Sequence, residues 1–261
     1  MLQSLYTATT GLDAQQKQLG TIANNISNVN TTGFKKSRLN FENLLHQHVR
    51  RPGVEVGDSR LPSGLSIGTG VRVQSSQEIH SQGGLKQTDG QLDLAINGDG
   101  FFQVITPAGE TAYTRAGNFQ VDGDGNLVTG KGYLVEPQIA IPEDAVAIEI
   151  SEQGVVSARL PNQAALQQVG NLELAKFINP AGLENVGGNM YVETDASGVP
   201  VVSQPGLDGV GSLLQGQLET SNVNVAEEMV AMIETQRAYE MASKVVSSSG
   251  EMVRNLNEII R

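Results

Sequence analysis

The chain has 261 residues, enough for one large domain or two smaller ones. Its formal net charge of −11 excludes the basic surface that nonspecific binding to nucleic acid or to anionic membranes requires. The absence of cysteine excludes disulfides, thiolate metal sites and a cysteine nucleophile.

The amino-terminal stretch has the apolar spacing of a long amphipathic helix. Over roughly the first thirty residues, apolar side chains recur at alternating intervals of three and four, with Gln15 as a polar interruption. Polar residues such as Asp13 and Lys17 occupy the opposite face. We predict an assembly seam on this helix, formed by Leu5, Leu12, Leu19, Ile22 and Ile26.

The same stretch lacks the basic n-region and the continuous apolar h-region of a secretory signal peptide. No apolar run in the chain approaches the roughly 18 residues of a membrane-spanning helix. We therefore expect no membrane insertion, and we expect any export to proceed without a cleaved signal peptide.

An asparagine-rich segment, IANNISNVNTTGFKK, occupies residues 22–36. Asparagine tolerates left-handed backbone, so Asn28 or Asn30 is expected to close the first helix, with Gly33 extending the stop. The SNVN tetrapeptide recurs at residues 221–224, so both copies meet if the terminal helices are antiparallel. The predicted joint and caps are Asn24, Asn25, Asn28, Asn30, Gly33, Phe34, Asn222, Asn224 and Glu227.

Residues 46–75 fit neither a helix nor a regular sheet, because β-branched residues are mixed with prolines and glycines. We predict an extended arm or a long irregular hairpin, a kind of segment that usually carries function. Arg50 and Arg51 are expected to contact carboxylates on the acidic β region of a neighbouring subunit.

Residues 76–215 alternate short apolar runs with Gly, Asn, Asp and Pro, which is an all-β pattern. Its clearest hairpin is VDGDGNLVT, with turn residues 122–126. The DGDGN motif resembles a calcium loop, but Leu127 and Tyr133 stand where a glycine and a bidentate glutamate are required. We therefore expect a turn and assign no metal.

Other candidate sites have simpler interpretations. His46 and His48 could share a strand face, but no carboxylate nearby completes a metal site, so solvated loop histidines are expected. The serines of SSSGE, at residues 247–251, lie within a helical heptad, where a nucleophile elbow cannot form. No acid, base and orienting group come together, so neither enzymatic activity nor a cofactor is expected.

The carboxy-terminal stretch repeats an apolar residue every seven positions. Asn224 is expected to cap this second helix, with Glu227 completing a capping box. The predicted seam consists of Val225, Met232, Tyr239, Val246, Val253 and Ile260.

These elements predict an α+β fold. Coiled-coil-like helices come from both termini (1–45 and 216–261), with the extended irregular β arm at 46–75 and a central glycine-rich β domain at 76–215. A helix pair alone leaves Met229 and Ile233 without cover. Either the helices fold back on the β domain, or other copies cover them in a head-to-tail arrangement that gives a filament or tube.

Three blocks of the sequence resemble the bacterial flagellar rod and hook family. They are ANNISNVNTTGFKK near the start, LAINGDGFFQV with YTRAGNFQVDGDGNLVTGKGYLV in the middle, and ETSNVNVAEEMVAMIETQRAYEMASKVV at the end. The resemblance covers nearly the whole chain, and the insert RRPGVEVGDSRLPSGLSIGTGV is similar to that of the distal-rod members.

The resemblance implies a nonenzymatic axial protein of the flagellar basal body, located in the periplasm and exported by the flagellar type III export apparatus. It implies a homo-oligomeric helical tube, a rigid drive shaft for motility that meets proximal rod proteins, hook protein and surrounding ring proteins. In such a tube the helices line the channel and the asparagine-rich stretch is a joint. The alternatives are a proximal rod or hook protein, or a soluble β-domain binding module with an intramolecular helix pair.

Overall fold

The computed structural model describes residues 2–50, 55–56, 59–60, 63–161 and 166–259. These residues form a long helix at each end of the chain and a β-rich middle with several sheets, which confirms the α+β class. The chain divides into two compact units: unit 1 comprises residues 1–27, 37–77 and 224–261, and unit 2 comprises residues 28–36 and 78–223. The predicted division into a terminal helical assembly domain (1–45 and 216–261), an arm (46–75) and a β domain (76–215) stays a prediction.

Unit 1 contains helices α1 (Leu2–Ser27) and α2 (Val225–Ile259). The side-chain amide of Asn25, near the end of α1, donates to Glu228 in the first turn of α2. Nearer the other end of the pair, Ala8 of α1 and Ala242 of α2 line one groove. The two helices are therefore antiparallel, the arrangement that the sequence left conditional.

The first helix ends earlier than its apolar spacing predicts, at Ser27. Tight turns follow, in which Thr31 donates its N–H to the carbonyl of Asn28 (3.1 Å) and its hydroxyl to the Asn28 side chain (3.2 Å). The expectation that Asn28 or Asn30 closes the helix in the left-handed conformation is wrong, because neither has a positive φ. Gly33 is the left-handed residue of this segment, with φ 70°.

Unit 1 also contains a long ribbon whose strands pair in nested order. Its strands are β1 (Ser37–Asn43), β2 (His46–Arg50), β3 (Glu55–Val56), β4 (Ser59–Arg60), β5 (Leu65–Gly68) and β6 (Val71–Glu78). β1 pairs with β6, β2 with β5 and β3 with β4. The segment predicted as an arm or irregular hairpin therefore belongs to a longer hairpin that begins at Ser37.

Unit 2 is built from short strands in several sheets. They are β7 (Leu85–Gln87), β8 (Leu94–Asn97), β9 (Phe101–Ile105), β10 (Thr111–Thr114), β11 (Phe119–Val121), β12 (Leu127–Thr129), β13 (Leu134–Glu136), β14 (Ala147–Ile150), β15 (Val155–Arg159), β16 (Gln167–Asn171), β17 (Leu174–Lys176), β18 (Glu184–Gly187), β19 (Met190–Val192), β20 (Val201–Ser203), β21 (Ser212–Gln215) and β22 (Gln217–Glu219). A short 3-10 helix spans Pro180–Gly182.

The main sheet has the strand order β11-β12-β13-β9-β10-β19-β18, and β17 pairs with both β9 and β20. Three strands, β14 to β16, form a separate antiparallel sheet. β8 pairs with β21, and β7 pairs with β22. The predicted hairpin is confirmed: β11 pairs with β12 across a turn in which the Asp122 N–H donates to the carbonyl of Asn126 (2.9 Å).

The two faces of β9 bury different residues, because successive side chains of a strand point to opposite faces. Phe102 lies in a large core of mainly aliphatic side chains and meets Phe119 edge to face, with 5.0 Å between ring centroids. Phe101 lies in a smaller aromatic cluster with Phe177 and Tyr191. The larger core is therefore mainly aliphatic.

Candidate functional site

Within unit 1, Asn25 ties three elements together. It is 2% exposed, and its Nδ2 donates to the carbonyl of Ser37 (3.0 Å) and to Oε2 of Glu228 (3.2 Å). Its Oδ1 accepts the N–H of Ser37 at 3.0 Å. One amide thus joins the end of α1, the first residue of β1 and the first turn of α2.

The predicted Asn224 cap of the second helix is confirmed, whereas the capping box with Glu227 stays a prediction. Oδ1 of Asn224 accepts the N–H of Ala226 (3.1 Å), and its carbonyl accepts the N–H of Glu228 (3.0 Å). Glu227 and Glu228 lie in the first turn of α2, where the helix dipole favours negative charge. The sequence pattern thus located this helix start correctly.

Within unit 2, Asn222 connects its own segment of the chain to two others, one containing Lys36 and one containing Ile79 and Ser81. Its Oδ1 accepts the N–H of Lys36 (2.8 Å), and its Nδ2 donates to the carbonyl of Ile79 (2.7 Å) and to Oγ of Ser81 (3.0 Å). Ile79 in turn donates its N–H to the carbonyl of Lys36 at 2.9 Å. A predicted joint residue is therefore a bridge between segments distant in sequence.

A buried charge cluster lies in the same unit. Oε1 of Glu219 accepts Nζ of Lys35 (2.5 Å) and the N–H of Gly83 (2.8 Å). Its Oε2 lies 3.4 Å from Nη1 of Arg115. Lys35 also donates to the carbonyl of Ser81 at 2.8 Å. Glu219 is 0% exposed, Lys35 1% and Arg115 3%, so this carboxylate compensates two cations in a water-excluded interior.

Burial governs the protonation behaviour of this cluster. It lowers the pKa of Lys35 and of Arg115, while the charge of Glu219 opposes both shifts. Burial also lowers the pKa of His80 from 6.5 to about 4, and the charges of Lys35 and Arg115 add to that shift. Neutral His80 packs edge to face on Phe101, with 5.5 Å between ring centroids.

The glycine of the asparagine-rich segment is fixed by close packing. Gly33 donates its N–H to the backbone carbonyl of Glu219 at 2.9 Å. A Cβ at this position would lie 2.7 Å from the backbone nitrogen of Ala116, and φ is already left-handed. Phe34 is half-buried, whereas Asn24 and Asn30 are exposed. Only part of the predicted joint therefore carries buried contacts.

The predicted seam is partly covered in the single chain. Ile22 is buried, and a second group is half-buried: Leu5, Leu12, Leu19, Ile26, Met232 and Val246. Val225 and Tyr239 are 39% and 38% exposed. The side chain of Val253, and Ile260 altogether, lie outside the described residues. Burial of the whole seam in an assembly stays a prediction.

Small residues complete the contact between the helices. Ala14 of α1 is 2% exposed and Thr235 of α2 is 7% exposed. The Thr235 hydroxyl donates to the Ala231 carbonyl at 2.7 Å, which satisfies it within its own helix. The apolar heptad did not identify these positions, because they are neither large nor strongly apolar.

One side of α2 exposes large apolar side chains in the described part of the chain. Met229 is 54% exposed and Ile233 50%, as predicted for an unpartnered helix pair. Further along the helix, Met241 is 65%, Val245 51% and Met252 55% exposed. Exposed apolar surface of this extent is typical of interaction sites. We call Val225, Met229, Val230, Ile233, Met241, Val245 and Met252 the exposed α2 face.

The ribbon of unit 1 is exposed as well. Both strands of the β2–β5 pair are exposed throughout, including Val49 (58%) and Leu65 (49%). Arg50 is exposed at the end of β2, and Arg51 lies outside the described residues. His46 and His48 are exposed on β2.

The net charge of the chain resides in one unit. Unit 2 contains eighteen acidic and seven basic residues, a difference of −11, whereas unit 1 contains ten of each. Neither α1 nor α2, over its described length, is long and apolar enough to cross a membrane.

Comparisons with known proteins agree with this architecture. The description "Flagella basal body rod protein" matches residues 5–35, "Flagellar hook protein FlgE/F/G D1 domain" matches residues 95–158, and "Flagellar basal body rod FlgEFG protein C-terminal" matches residues 214–259. The matched ends coincide with the two helices and their caps, and the matched middle lies in unit 2.

Full-length relatives agree with these matches. The flagellar basal-body rod protein FlgG of Buchnera aphidicola is 50% identical over 260 residues, which is 99% of this chain and 100% of the relative. The FlgG proteins of Borreliella burgdorferi and Bacillus subtilis are 45% and 39% identical, over 100% of both chains. The chain belongs to the flagellar basal-body rod and hook protein family.

Proposed function

We propose that the chain is a structural subunit of the distal rod of the bacterial flagellar basal body. It polymerises into a helical tube that acts as a drive shaft and transmits torque to the hook. The observation that carries this proposal is the exposed α2 face. Water contact with these side chains is unfavourable, at about 25 cal/mol per Å² of apolar surface, so a partner helix stabilises the face by covering it.

Other copies of the same chain are the partners that this proposal requires. The helix pair buries Ala14, Ile22 and Thr235 but leaves the exposed α2 face uncovered, and further helices from neighbouring subunits complete the packing. A head-to-tail contact of this kind does not close, so it extends into a tube. The helices then form the inner wall, and Asn25 holds the end of α1 to β1 and to α2 through its hydrogen bonds.

The exposed ribbon supports a rigid rather than a flexible tube. A two-stranded ribbon is marginal in water on its own, and this one exposes Leu45 (89%), Val49 and Leu65. In our proposal it lies against the acidic β region of a neighbouring subunit, where Arg50 and Arg51 contact carboxylates. Such contacts resist bending because they join subunits at a distance from the helices.

The remaining partners and the location follow from the same proposal. As an axial protein, the chain meets proximal rod proteins, hook protein and the surrounding ring proteins in the periplasm. It reaches that place through the flagellar export apparatus without a cleaved signal peptide. Its role is structural, and we propose no catalytic activity.

Polymerisation by the purified chain tests the proposal. Light scattering over a concentration series is expected to show a critical concentration, and electron micrographs are expected to show straight tubes. Monomers at every concentration are the result expected of the alternative, a β-domain binding module with an intramolecular helix pair. Curved tubes are the result expected of a hook-type protein.

A further inference from the structure

Unit 2 contains a cavity of about 190 Å³ next to the buried charge cluster of Arg115 and Glu219. Phe101, Phe177 and Ile178 form its apolar lining. Its charged and polar side chains are His80, Asp99, Arg115 and Lys176. The cavity therefore combines an apolar wall with two cationic side chains, an imidazole and the exposed carboxylate of Asp99, so an anionic group next to a hydrocarbon chain would find more cationic than acidic partners.

The buried arginine of this cavity has one hydrogen-bond donor without an acceptor among the described residues. Arg115 is 3% exposed; its Nη1 lies against Glu219 and its Nη2 donates to the carbonyl of Gly98 at 2.8 Å. No acceptor among the described residues satisfies its Nε, and Nδ1 of His80 likewise has no partner there. A buried N–H without an acceptor is destabilising, so an acceptor that reaches Nε of Arg115 is favoured.

A lysine and an exposed apolar rim lie at the same place. Nζ of Lys176 donates to the carbonyl of Gly209 (2.8 Å) and is 3.7 Å from the exposed carboxylate of Asp99. Ile178, two residues on, is 88% exposed, and Val199 is 82% exposed. These two lie on adjacent chain segments, because β17 and β20 pair Lys176 with Val201 in register.

The charge of unit 2 indicates what would bind here. Copies of a unit with a net charge of −11 repel one another when they are packed side by side. An acidic side chain of a neighbouring copy would be attracted to Arg115 and Lys176 in this cavity, whose lining contains one carboxylate, that of Asp99. β20 also has a free edge, since it pairs only with β17 in the described part of the chain.

We propose that this cavity receives an acidic side chain from a second copy of the chain, whose apolar neighbours cover Ile178 and Val199. The carboxylate accepts from Nε of Arg115 and pairs with Lys176. This contact between β regions adds to the helix contacts, and it rests on the proposed polymerisation.

The chemistry of the cavity is tested without polymerisation. The full chain, ¹⁵N-labelled on arginine and kept unpolymerised, is titrated with sodium acetate and, separately, with sodium chloride at equal ionic strength. The Nε–Hε resonance of Arg115, assigned by its loss in Arg115→Lys, is expected to shift saturably with acetate alone. No shift, or equal shifts with both salts, overturns the carboxylate site.

The identity of the occupant is tested by polymerisation. Lys176→Glu and Ile178→Ser are each expected to raise the critical concentration about tenfold, which corresponds to about 1.4 kcal/mol, with an unchanged thermal transition of the monomer. Val146→Ser is the matched control, because Val146 is 65% exposed in the same unit but does not line the cavity. Its critical concentration is expected to stay that of the wild type.

The outcomes separate this inference from the proposed function. If the wild type forms tubes and both cavity variants match its critical concentration, the inference is overturned while the proposed function stands. If the wild type forms no tubes, the proposed function fails, and a second copy is excluded as the occupant. The acetate titration decides the carboxylate chemistry in either case.

Discussion

Nζ of Lys35 lies 2.5 Å from Oε1 of Glu219, and neither side chain has any exposed surface. The two residues are 184 positions apart in sequence, so this ion pair joins the segment after the first helix to the segment before the second. Nη1 of Arg115 lies 3.4 Å from the other carboxylate oxygen. The fold of unit 2 at this point therefore depends on one carboxylate that compensates two buried cations.

Replacing that carboxylate is expected to destabilise the protein strongly. Glu219→Gln leaves Lys35 and Arg115 without a compensating charge, and breaking a buried pair in this way costs about 3–5 kcal/mol. Glu149→Gln is the control, because its pair with Arg159 is about half exposed and is worth at most about 1 kcal/mol. Urea denaturation measures the free energy of unfolding of both variants. Equal losses in the two variants would contradict the role of the buried cluster.

Acid is expected to destabilise the protein through His80. Its folded-state pKa, about 4, lies below the ordinary 6.5, so the unfolded state binds the proton more readily. The stabilisation that results from this lowered pKa is fully present above pH 6.5. It is lost as the pH falls toward 4, and the free energy of unfolding decreases by about 3 kcal/mol in total. The free energy of unfolding as a function of pH measures this loss.

A pair of variants isolates the histidine from other acid-sensitive groups. His80→Gln is expected to show a smaller decline in unfolding free energy between pH 6.5 and 4 than the wild type. His46→Gln, an exposed site on β2, is expected to keep the wild-type decline. If His80→Gln has the same pH profile as the wild type, burial of neutral His80 is not a source of acid sensitivity.

The asparagines of the joint are expected to contribute very different amounts to the free energy of unfolding. Asn25→Ala removes three hydrogen bonds of a buried side chain and leaves the N–H and carbonyl of Ser37 without their partner, at a cost of about 2–4 kcal/mol. Asn30→Ala changes an exposed side chain, and its effect is expected to stay within about 0.5 kcal/mol. Thermal denaturation of the two variants compares them directly, and equal stabilities would refute the ranking.

Shortening the ribbon is expected to change the stiffness of the tube rather than its formation. Deleting residues 46–63 removes β2, β3 and β4 and leaves the helices and the β1–β6 pair intact. The tubes are expected to become curved or flexible in electron micrographs. A replacement of the same residues by a Gly/Ser segment of equal length separates the contacts from chain length. Tubes as straight as the wild type after the deletion would show that the ribbon is not the rigid element.

Periodic and local features could be predicted from the sequence because they depend on neighbouring residues. The helical repeats indicated both α1 and α2, and the Asn224 cap was evident because a cap and its N–H partner are two residues apart. The turn at residues 122–126 was evident for the same reason, since turn chemistry is confined to a few adjacent positions.

Long-range features could not be predicted in this way. Lys35, Arg115 and Glu219 come from three separate segments, and nothing in their local sequence marks them as partners. The left-handed backbone falls at Gly33 and not at Asn28, because only a residue without Cβ fits against Ala116. The spacing of apolar residues also missed Ala14, because small side chains give no hydrophobic signal yet allow helices to approach closely.

A matched pair of variants tests whether other copies of the chain cover the exposed α2 face. Ile233→Asp places a charge on a side chain that is 50% exposed in the single chain, so the monomer is expected to keep its thermal transition. Gln236→Asp, at an exposed polar position one turn further along, adds the same charge without removing an apolar side chain.

Light scattering over a concentration series, with electron micrographs of the same samples, is the measurement. Straight tubes above a critical concentration are expected for the wild type and for Gln236→Asp. Monomers alone are expected for Ile233→Asp, because assembly would replace a buried apolar contact with a carboxylate that has no partner. Tubes of Ile233→Asp at the wild-type critical concentration, or a wild type that stays monomeric at every concentration, would contradict the proposed burial of the exposed α2 face.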